Sequence, residues 1–561
     1  MQTPNLTPDL FSAQSYYQEL ERAVERMATA PKDERGAVYT KQEVVDFILD
    51  LVGYTSDKPL YRQCLLEPSC GDGRFFLAAL DRLLLSFRQA SQKLTTSDLK
   101  SCLIGVELHK KTFRQLKRAT LDKLLIAGFE KSVAFDLCNA WLQQGDFLLV
   151  ENIPSVDFVV GNPPYIRQEK IPSVLLSAYR AKYTTIYDRA DLYVPFFERS
   201  LRLLKKEGHL SFICTDRWTK NKYGGPLRKL ISHGFSLKTY VDMIGVDAFD
   251  AEVATYPAIT VIQRSTHSET QILRRPNLDN HKAAKFEIAT RIVDGARPWV
   301  LGASDKTALI RDLEKRFPLI EQAGCKIGIG VATGADKVYI GKYEDLDVEE
   351  QRKLPLAKTS DLRGHQVNWN GLGVVNPFED NGELAKLNAY PKFKAFVLEH
   401  QEILKARHVA LKNPEKWYKT IDRIRPSLAS MPKLLIPDIN GKASIVYEDQ
   451  GLYPHHNLYF IVSSSWNLRA LQTVLLAGVA ELFVETYSTK MRGGYLRYQA
   501  QYLRKIRLPK WSDVSSSTRK VLIEASTNYR FEEAHAIVCD LYGLRKDQRK
   551  LLRPNLTKKS L

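Results

Sequence analysis

The tetrapeptide Asn162-Pro163-Pro164-Tyr165 follows the apolar run Asp157-Phe158-Val159-Val160-Gly161. Proline fixes φ and carries no N–H, so the pair holds the chain on one course and leaves the carbonyls of Asn162 and Pro163 free to face a ligand. The chemistry this suits is substitution at an amino nitrogen attached to a base or an amide. Such a nitrogen is a poor nucleophile because its lone pair is delocalised. Two acceptors, the Asn162 side-chain oxygen and the Pro163 carbonyl, can bond its two hydrogens and help localise that lone pair toward an electrophile. Tyr165 adds a flat face on which the target can stack. A rigid turn accounts for Pro163-Pro164, but not for an Asn before it and a Tyr after it.

Three further segments fit a nucleotide-like ligand. Leu65-Leu66-Glu67-Pro68-Ser69-Cys70-Gly71-Asp72-Gly73 reads as a strand and a tight turn opening the helix FFLAALDRLLL. Gly71 and Gly73 let the backbone approach a ligand at the carboxyl edge of a parallel sheet. Gly105-Val106-Glu107 ends the next strand, where an acid can accept hydrogen bonds from two ribose hydroxyls. In Gly145-Asp146-Phe147-Leu148 the carboxylate can take an adenine amino group while Phe147 flanks the ring. Each of these is common when met alone; their order along one chain gives them weight.

These residues need a scaffold that brings strand ends together. From about Tyr39 to Gln263 short β-branched runs alternate with longer amphipathic stretches, the pattern of a parallel sheet with crossover helices. Strands are expected at Cys64–Glu67, Cys102–Glu107, Asp157–Gly161, Leu210–Thr215, Thr239–Met243 and Ala258–Ile262. A helix over Leu192–Leu204 is expected to end in a C-cap at Lys205-Lys206-Glu207-Gly208. After Gln263 the polar stretch RSTHSETQILRRPNLDNHK reads as a link. A second domain beginning near Lys326 has short strand-like runs (VYIGKY, KLLIPD, LYFIV) and helical segments around Leu384–Glu399 and Asn467–Thr486.

The chain has 561 residues and a formal net charge of +18, which favours a polyanionic partner through counterion release. Between Lys490 and Lys510 stand seven Lys or Arg, three Tyr, a Gly pair and no acid. That combines phosphate-neutralising charge with flat stacking surfaces, against the plainer reading of a solvated basic face. The seven cysteines form no Cys-x-x-Cys pair, so neither a disulfide framework nor a zinc site is expected, and a metal has no assigned role. No signal peptide or membrane span is read, and a reducing cytoplasm is the expected compartment.

Together these motifs resemble the amino-methyltransferases with an Asn-Pro-Pro-Tyr motif, and within them the gamma-class, TaqI-like DNA adenine methyltransferases of restriction-modification systems. The resemblance adds Gly36-Ala37-Val38-Tyr39-Thr40-Lys41 as an N-terminal cofactor motif, with Tyr39 and Thr40 at binding positions and Lys41 where the family usually has proline. It implies a cofactor, S-adenosylmethionine, held by Tyr39, Thr40, Glu67, Ser69, Gly71, Gly73, Glu107, Asp146, Phe147 and Asn162. It implies Phe249, in Val246-Asp247-Ala248-Phe249, as a second stacking residue opposite Tyr165, against the plainer reading of a core aromatic. Gly328–Asp336 (GIGVATGAD) resembles the start of a TaqI-like specificity domain, and Lys490–Gln499 with Tyr502–Pro509 its end. DNA contacts are then expected from Lys490, Arg492, Gly493, Gly494, Arg497 and Tyr498.

The fold expected is α/β: a Rossmann-like class I methyltransferase domain over residues 1–264, a linker over 265–320, a mixed α/β DNA target-recognition domain over 321–510 and a helical basic tail over 511–561. The implied reaction is methyl transfer to the N6 amino group of an adenine flipped out of duplex DNA. A separately encoded restriction endonuclease is the implied companion. A methyltransferase for protein glutamine or RNA, or a silent DNA-binding subunit, are the rivals.

Overall fold

The computed structural model describes residues 10–31, 34–36, 38–90, 95–250, 257–278, 285–290, 292–299, 301, 304–440, 443–488 and 495–552. The chain divides into two compact units, Met1–Leu301 and Gly302–Leu561.

The first unit is built on a nine-stranded sheet of order β3-β2-β1-β4-β5-β7-β6-β8-β9. Its strands are β1 Leu65–Glu67, β2 Leu103–Glu107, β3 Leu142–Gln144, β4 Val156–Gly161, β5 Leu204–Thr215, β6 Ser236–Asp242, β7 Pro257–Gln263, β8 Glu269–Arg274 and β9 Glu287–Thr290. From β3 to β5 every pairing is parallel, and β7 enters antiparallel between β5 and β6. Helices cover both faces, so the central strands are apolar on both sides and read as unbroken hydrophobic runs. Because β1 lies between β2 and β4, the chain reverses its winding there, and a crevice opens at the carboxyl ends of these strands.

Glycines set two close approaches beside that crevice. Gly71 and Gly73 take φ of +54° and +89°, which turn β1 into the helix Arg74–Arg88. A Cβ on Gly105 in β2 would lie 2.9 Å from Cys70 Sγ and from Phe76, so only glycine lets β2 sit this close to the turn.

Two expectations change. The Lys205–Gly208 run does not cap the helix Tyr193–Leu203 but forms the irregular start of β5, where Glu207 has φ +63° and the register to β4 shifts. The stretch expected as a linker instead extends the sheet: β8 pairs parallel with β6, and β9 pairs antiparallel with β8.

In the second unit, Cys325–Ile329, Leu458–Ser463, Lys433–Pro437 and Val446–Glu448 form one antiparallel sheet. A smaller four-stranded sheet includes Lys353–Ala357 and Leu372–Val375. The stretch expected to be one helix over Asn467–Thr486 is broken at Gly478, whose φ is +113°. The expected tail is part of this unit's packing: Ser516–Thr527 lies on Leu468–Val474, with the Thr473 hydroxyl donating to the Leu522 carbonyl at 2.8 Å.

Candidate active site

The crevice holds a cavity whose empty space, open solvent at its mouth included, is about 990 Å³. Tyr39, Thr40, Glu67, Ser69, Gly71, Glu107, Asp146, Phe147, Asn162 and Pro164 line it. Gly73, Pro163, Tyr165 and Phe249 are not part of that lining. Gly73 instead packs its α-carbon against Leu116, where a Cβ would come within 2.5 Å of a methyl group.

Asn162 sits just beyond the end of β4. Its Nδ2 donates to the Val38 carbonyl at 2.9 Å and to Thr40 Oγ1 at 3.1 Å. A carbonyl can only accept, so this contact fixes which end of the amide is nitrogen. The other end, Oδ1, is buried and has no hydrogen-bond partner. The Asn162 carbonyl accepts from Ser69 Oγ at 3.2 Å, tying the Asn-Pro-Pro-Tyr loop to the glycine turn. Gly36, with φ +60°, rests on the backbone of Tyr165: a Cβ there would fall 2.5 Å from the Tyr165 carbonyl oxygen.

Glu107 ends β2. Its two oxygens accept from the amides of Gly71 and His109, each at 2.7 Å. Burial raises its carboxyl above the usual range, opposed by those two amides and by the nearby Arg35. Glu67 is 1 % exposed, and one of its carboxylate oxygens is buried without a partner. Its pKa is accordingly pushed well up by desolvation. Asp146 is raised by burial too, yet both its oxygens are engaged, by the Leu148 amide at 2.9 Å and by the Tyr179 hydroxyl. Phe147 is buried beside Phe196, with ring centroids 5.1 Å apart, and Arg199 lies over its face.

A second segment meets the N-terminal motif. Thr40 and Phe249 form an isolated antiparallel bridge, the Lys41 amide donates to the Ala248 carbonyl at 3.0 Å, and the Asp250 amide donates to the Tyr39 carbonyl at 3.2 Å. Lys41 thus uses an N–H that the family's usual proline lacks, and its Nζ pairs with Asp247 at 2.5 Å. Arg74 Nη1 donates to the Thr40 carbonyl at 2.9 Å and to Asp250 at 3.1 Å, closing the junction. Phe249 itself is 7 % exposed and packs in the core with Ala248 and Met243. Tyr165 packs against the opposite core, its ring 6.4 Å from that of Tyr193. Phe249, expected to flank a target base opposite Tyr165, is here turned into the sheet's packing by the Thr40 pairing.

Sequence reading missed Arg35, Tyr179 and Phe196, which line the same cavity. Arg35 Nη1 donates to Thr112 at 3.0 Å, while its Nε is buried without a partner. Arg35 stands immediately before Gly36 of the N-terminal motif, and that adjacency was the available signal. Tyr179 and Phe196 lie on helices with no motif of their own.

In the second unit, Lys490, Arg492, Gly493 and Gly494 lie outside the described residues. Arg497 makes a two-pronged ion pair with Asp438, and Arg504 donates to Glu321 at 3.0 Å and to the Ile327 carbonyl at 2.9 Å. Arg507 donates to the Phe317 carbonyl at 3.3 Å. Tyr498 is 0 % exposed, so it has no face to offer a base, contrary to expectation. Among the described residues of the basic run, Arg497, Arg504 and Arg507 brace the protein.

The chain is 51 % identical over 542 residues to the Type II methyltransferase M.XhoI of Xanthomonas vasicola, covering 93 % of this chain and 99 % of that protein. The chain belongs to the Type II restriction-modification methyltransferases. The Type II methyltransferase M.PaeR7I of Pseudomonas aeruginosa is 50 % identical, covering 95 % of this chain and 96 % of that one. Residues 78–249 match the Eco57I restriction-modification methylase family, and residues 377–508 match the TaqI-like C-terminal specificity domain. The Type IIL restriction-modification enzyme MmeI, solved in complex with DNA, has the same fold at a TM-score of 0.59 and 12 % identity, covering 95 % of this chain and 77 % of that one. As a Type II methyltransferase the protein acts on DNA and draws its methyl group from S-adenosylmethionine. The cavity fits that cofactor: it combines apolar walls with a buried, unpaired carboxylate oxygen of Glu67. Among the described residues no helix is long and apolar enough to cross a membrane.

Proposed function

We propose that this Type II methyltransferase modifies the exocyclic N6 amino group of an adenine flipped out of duplex DNA. The observation that carries the reading is Asn162: its amide is locked by Val38 and Thr40, which leaves Oδ1 buried and unpaired as an acceptor aimed at no group of the protein. An orphaned acceptor costs free energy unless a ligand satisfies it. The target amino group supplies that hydrogen, and the Pro163 carbonyl takes its second one. A flat base stacked on Tyr165 then holds its nitrogen in line with the donor, where positioning counts for more than a strong base.

The bound cofactor supplies an electrophilic methyl group on a sulfonium, which loses its positive charge as the N–C bond forms and the C–S bond breaks. The chain's own residues would hold it as follows. Glu67 offers its free oxygen to a cationic group, and Glu107 faces the ribose hydroxyls, which exchange for part of its present amide contacts. Asp146 and Phe147 receive the adenine end, with Tyr179 orienting the Asp146 carboxylate. Tyr39, Thr40, Ser69, Gly71 and Gly73 shape the walls and the turn. Phe249 acts from beneath, by fixing Thr40 and hence Asn162, rather than by stacking on the target.

We assign target recognition to the second unit, with phosphate and base contacts from Lys490, Arg492, Gly493 and Gly494, and with Arg497 and Tyr498 as their support. A separately encoded endonuclease cutting the same sequence completes the system. The deciding experiment is nucleoside mass spectrometry of DNA incubated with the protein and S-adenosylmethionine. N6-methyladenine at one sequence is the expected product. Methylation confined to cytosine overturns the base assignment, and none on DNA, with transfer to protein or RNA, overturns the substrate.

A further inference from the structure

Among the described residues, a cluster of metal-ligating groups outside the cavity lies in the second unit. One nitrogen each from His455 and His456 and one carboxylate oxygen of Asp336 lie within 4.8 Å of one another. Asp336 closes the Gly328–Asp336 segment, while the histidines precede the strand Leu458–Ser463, so more than a hundred residues separate the partners.

The backbone is built to bring them together. Gly330 approaches so closely that a Cβ would fall 2.2 Å from the Pro454 carbonyl oxygen and 2.3 Å from that of His455. The His456 amide donates to the Val331 carbonyl at 3.0 Å, and the His455 amide to the Ala357 carbonyl at 2.9 Å. The chain turns at His456, just after the isolated bridge of His455 to Val331, and the turn leaves the two imidazoles with ring centroids 4.0 Å apart. The Thr333 hydroxyl donates to Asp336 Oδ1 and leaves Oδ2 for His455 Nε2, 3.0 Å away.

A His–Asp hydrogen bond alone explains that last contact. It does not explain why the Nδ1 atoms of both His455 and His456 are buried without partners. Two imidazoles and one carboxylate match the preferences of first-row divalent ions, whereas Ca²⁺ and Mg²⁺ prefer oxygen donors. The Asp336 side chain is 41 % exposed, which gives an ion a way in and leaves room for water as a further ligand.

We propose that Asp336, His455 and His456 bind a zinc-like divalent ion that ties the Gly328–Asp336 segment to the strand Leu458–Ser463. The inference is independent of which base is methylated, and it departs from the sequence reading, in which no metal had a role. Its test uses the full chain after chelator treatment and dialysis. Titration with Zn²⁺ by calorimetry should find one saturable site, and Zn²⁺ should raise the Tm. Both effects should vanish in Asp336→Asn and in His456→Gln. Should Asp336→Asn fail to fold, His456→Gln carries the test, with the metal-free Tm as its folding control. Co²⁺ in place of Zn²⁺ should give visible ligand-field bands without thiolate charge transfer, since all seven cysteines are buried elsewhere. Absence of saturable binding, binding unchanged in the variants, or a thiolate band would each overturn the proposal.

Discussion

Replacing Asn162 with alanine separates the role of its oxygen from that of its nitrogen. Under the proposed function the buried Oδ1 takes a hydrogen from the target, and deleting one such preorganised hydrogen-bonding group costs about 10²–10³ in kcat, or ~3–4 kcal/mol. The two Nδ2 contacts, at 2.9 and 3.1 Å, hold the loop in place. As neutral hydrogen bonds they are worth about 0.7 kcal/mol each, so their loss loosens the loop by a further tenfold or so. The expected sum is a fall of about 10³–10⁴ in single-turnover methyl transfer, with cofactor affinity changed by less than about tenfold because the other contacts remain. Radiolabelled methyl transfer to duplex DNA, together with calorimetric titration of S-adenosylmethionine and a melting curve, reads all three quantities. An Asn162→Ala enzyme that folds, binds cofactor and turns over within about tenfold of the parent refutes the acceptor role.

Four other outcomes are expected. Glu107→Ala should weaken cofactor binding by roughly 1.5–3 kcal/mol; because burial raises this carboxyl, parent affinity should fall with decreasing pH sooner than for an exposed glutamate, and a pH-independent affinity would count against the ribose role. Glu67→Gln should raise the Tm of the cofactor-free protein at pH 8 while weakening cofactor binding. Its raised folded pKa means that stability is lost as pH rises from 4.5 through the raised value, so the gain should shrink toward pH 4.5, and an unaltered melting curve would refute the orphaned charge. With 2-aminopurine at the target position, binding should change the fluorescence and Tyr165→Ala should slow transfer; a productive complex without such a change would argue against flipping. Arg497→Ala should lower the Tm by stranding Asp438 and leave the salt dependence of DNA binding as it was, whereas a slope flatter by about one unit places the guanidinium on a phosphate.

The central strands and the cavity's acids were legible because strands buried on both faces leave unbroken apolar runs that end at functional turns. The sheet's edge was not. β3 spans Leu142–Gln144, too short for a pattern, and the polar β8 and β9 read as linker because the sheet, not their own composition, makes them strands. Phe249 and Tyr498 show a different limit. Aromatics near a functional motif look the same in sequence whether they face a ligand or the core. What decided these two was pairing with Thr40 in one case, and in the other the amide of Tyr498 donating to the Asp438 carbonyl at 2.7 Å. Tyr179 and Phe196 reach the cavity through folding alone, and no local spacing announces them.

The contact of Gly36 with the Tyr165 backbone, and of Val38 and Thr40 with Asn162, has a thermodynamic corollary. One wall of the donor cavity and the loop that receives the target are a single mechanical piece, so neither can be ordered without the other. Ordering that the methyl donor brings to this piece is then already in place when DNA arrives. By linkage the benefit is mutual: DNA must tighten the donor by the same factor by which the donor tightens DNA. A larger residue at Gly36 would push the two elements apart and reduce that mutual factor toward one, leaving two sites that each bind but no longer assist one another.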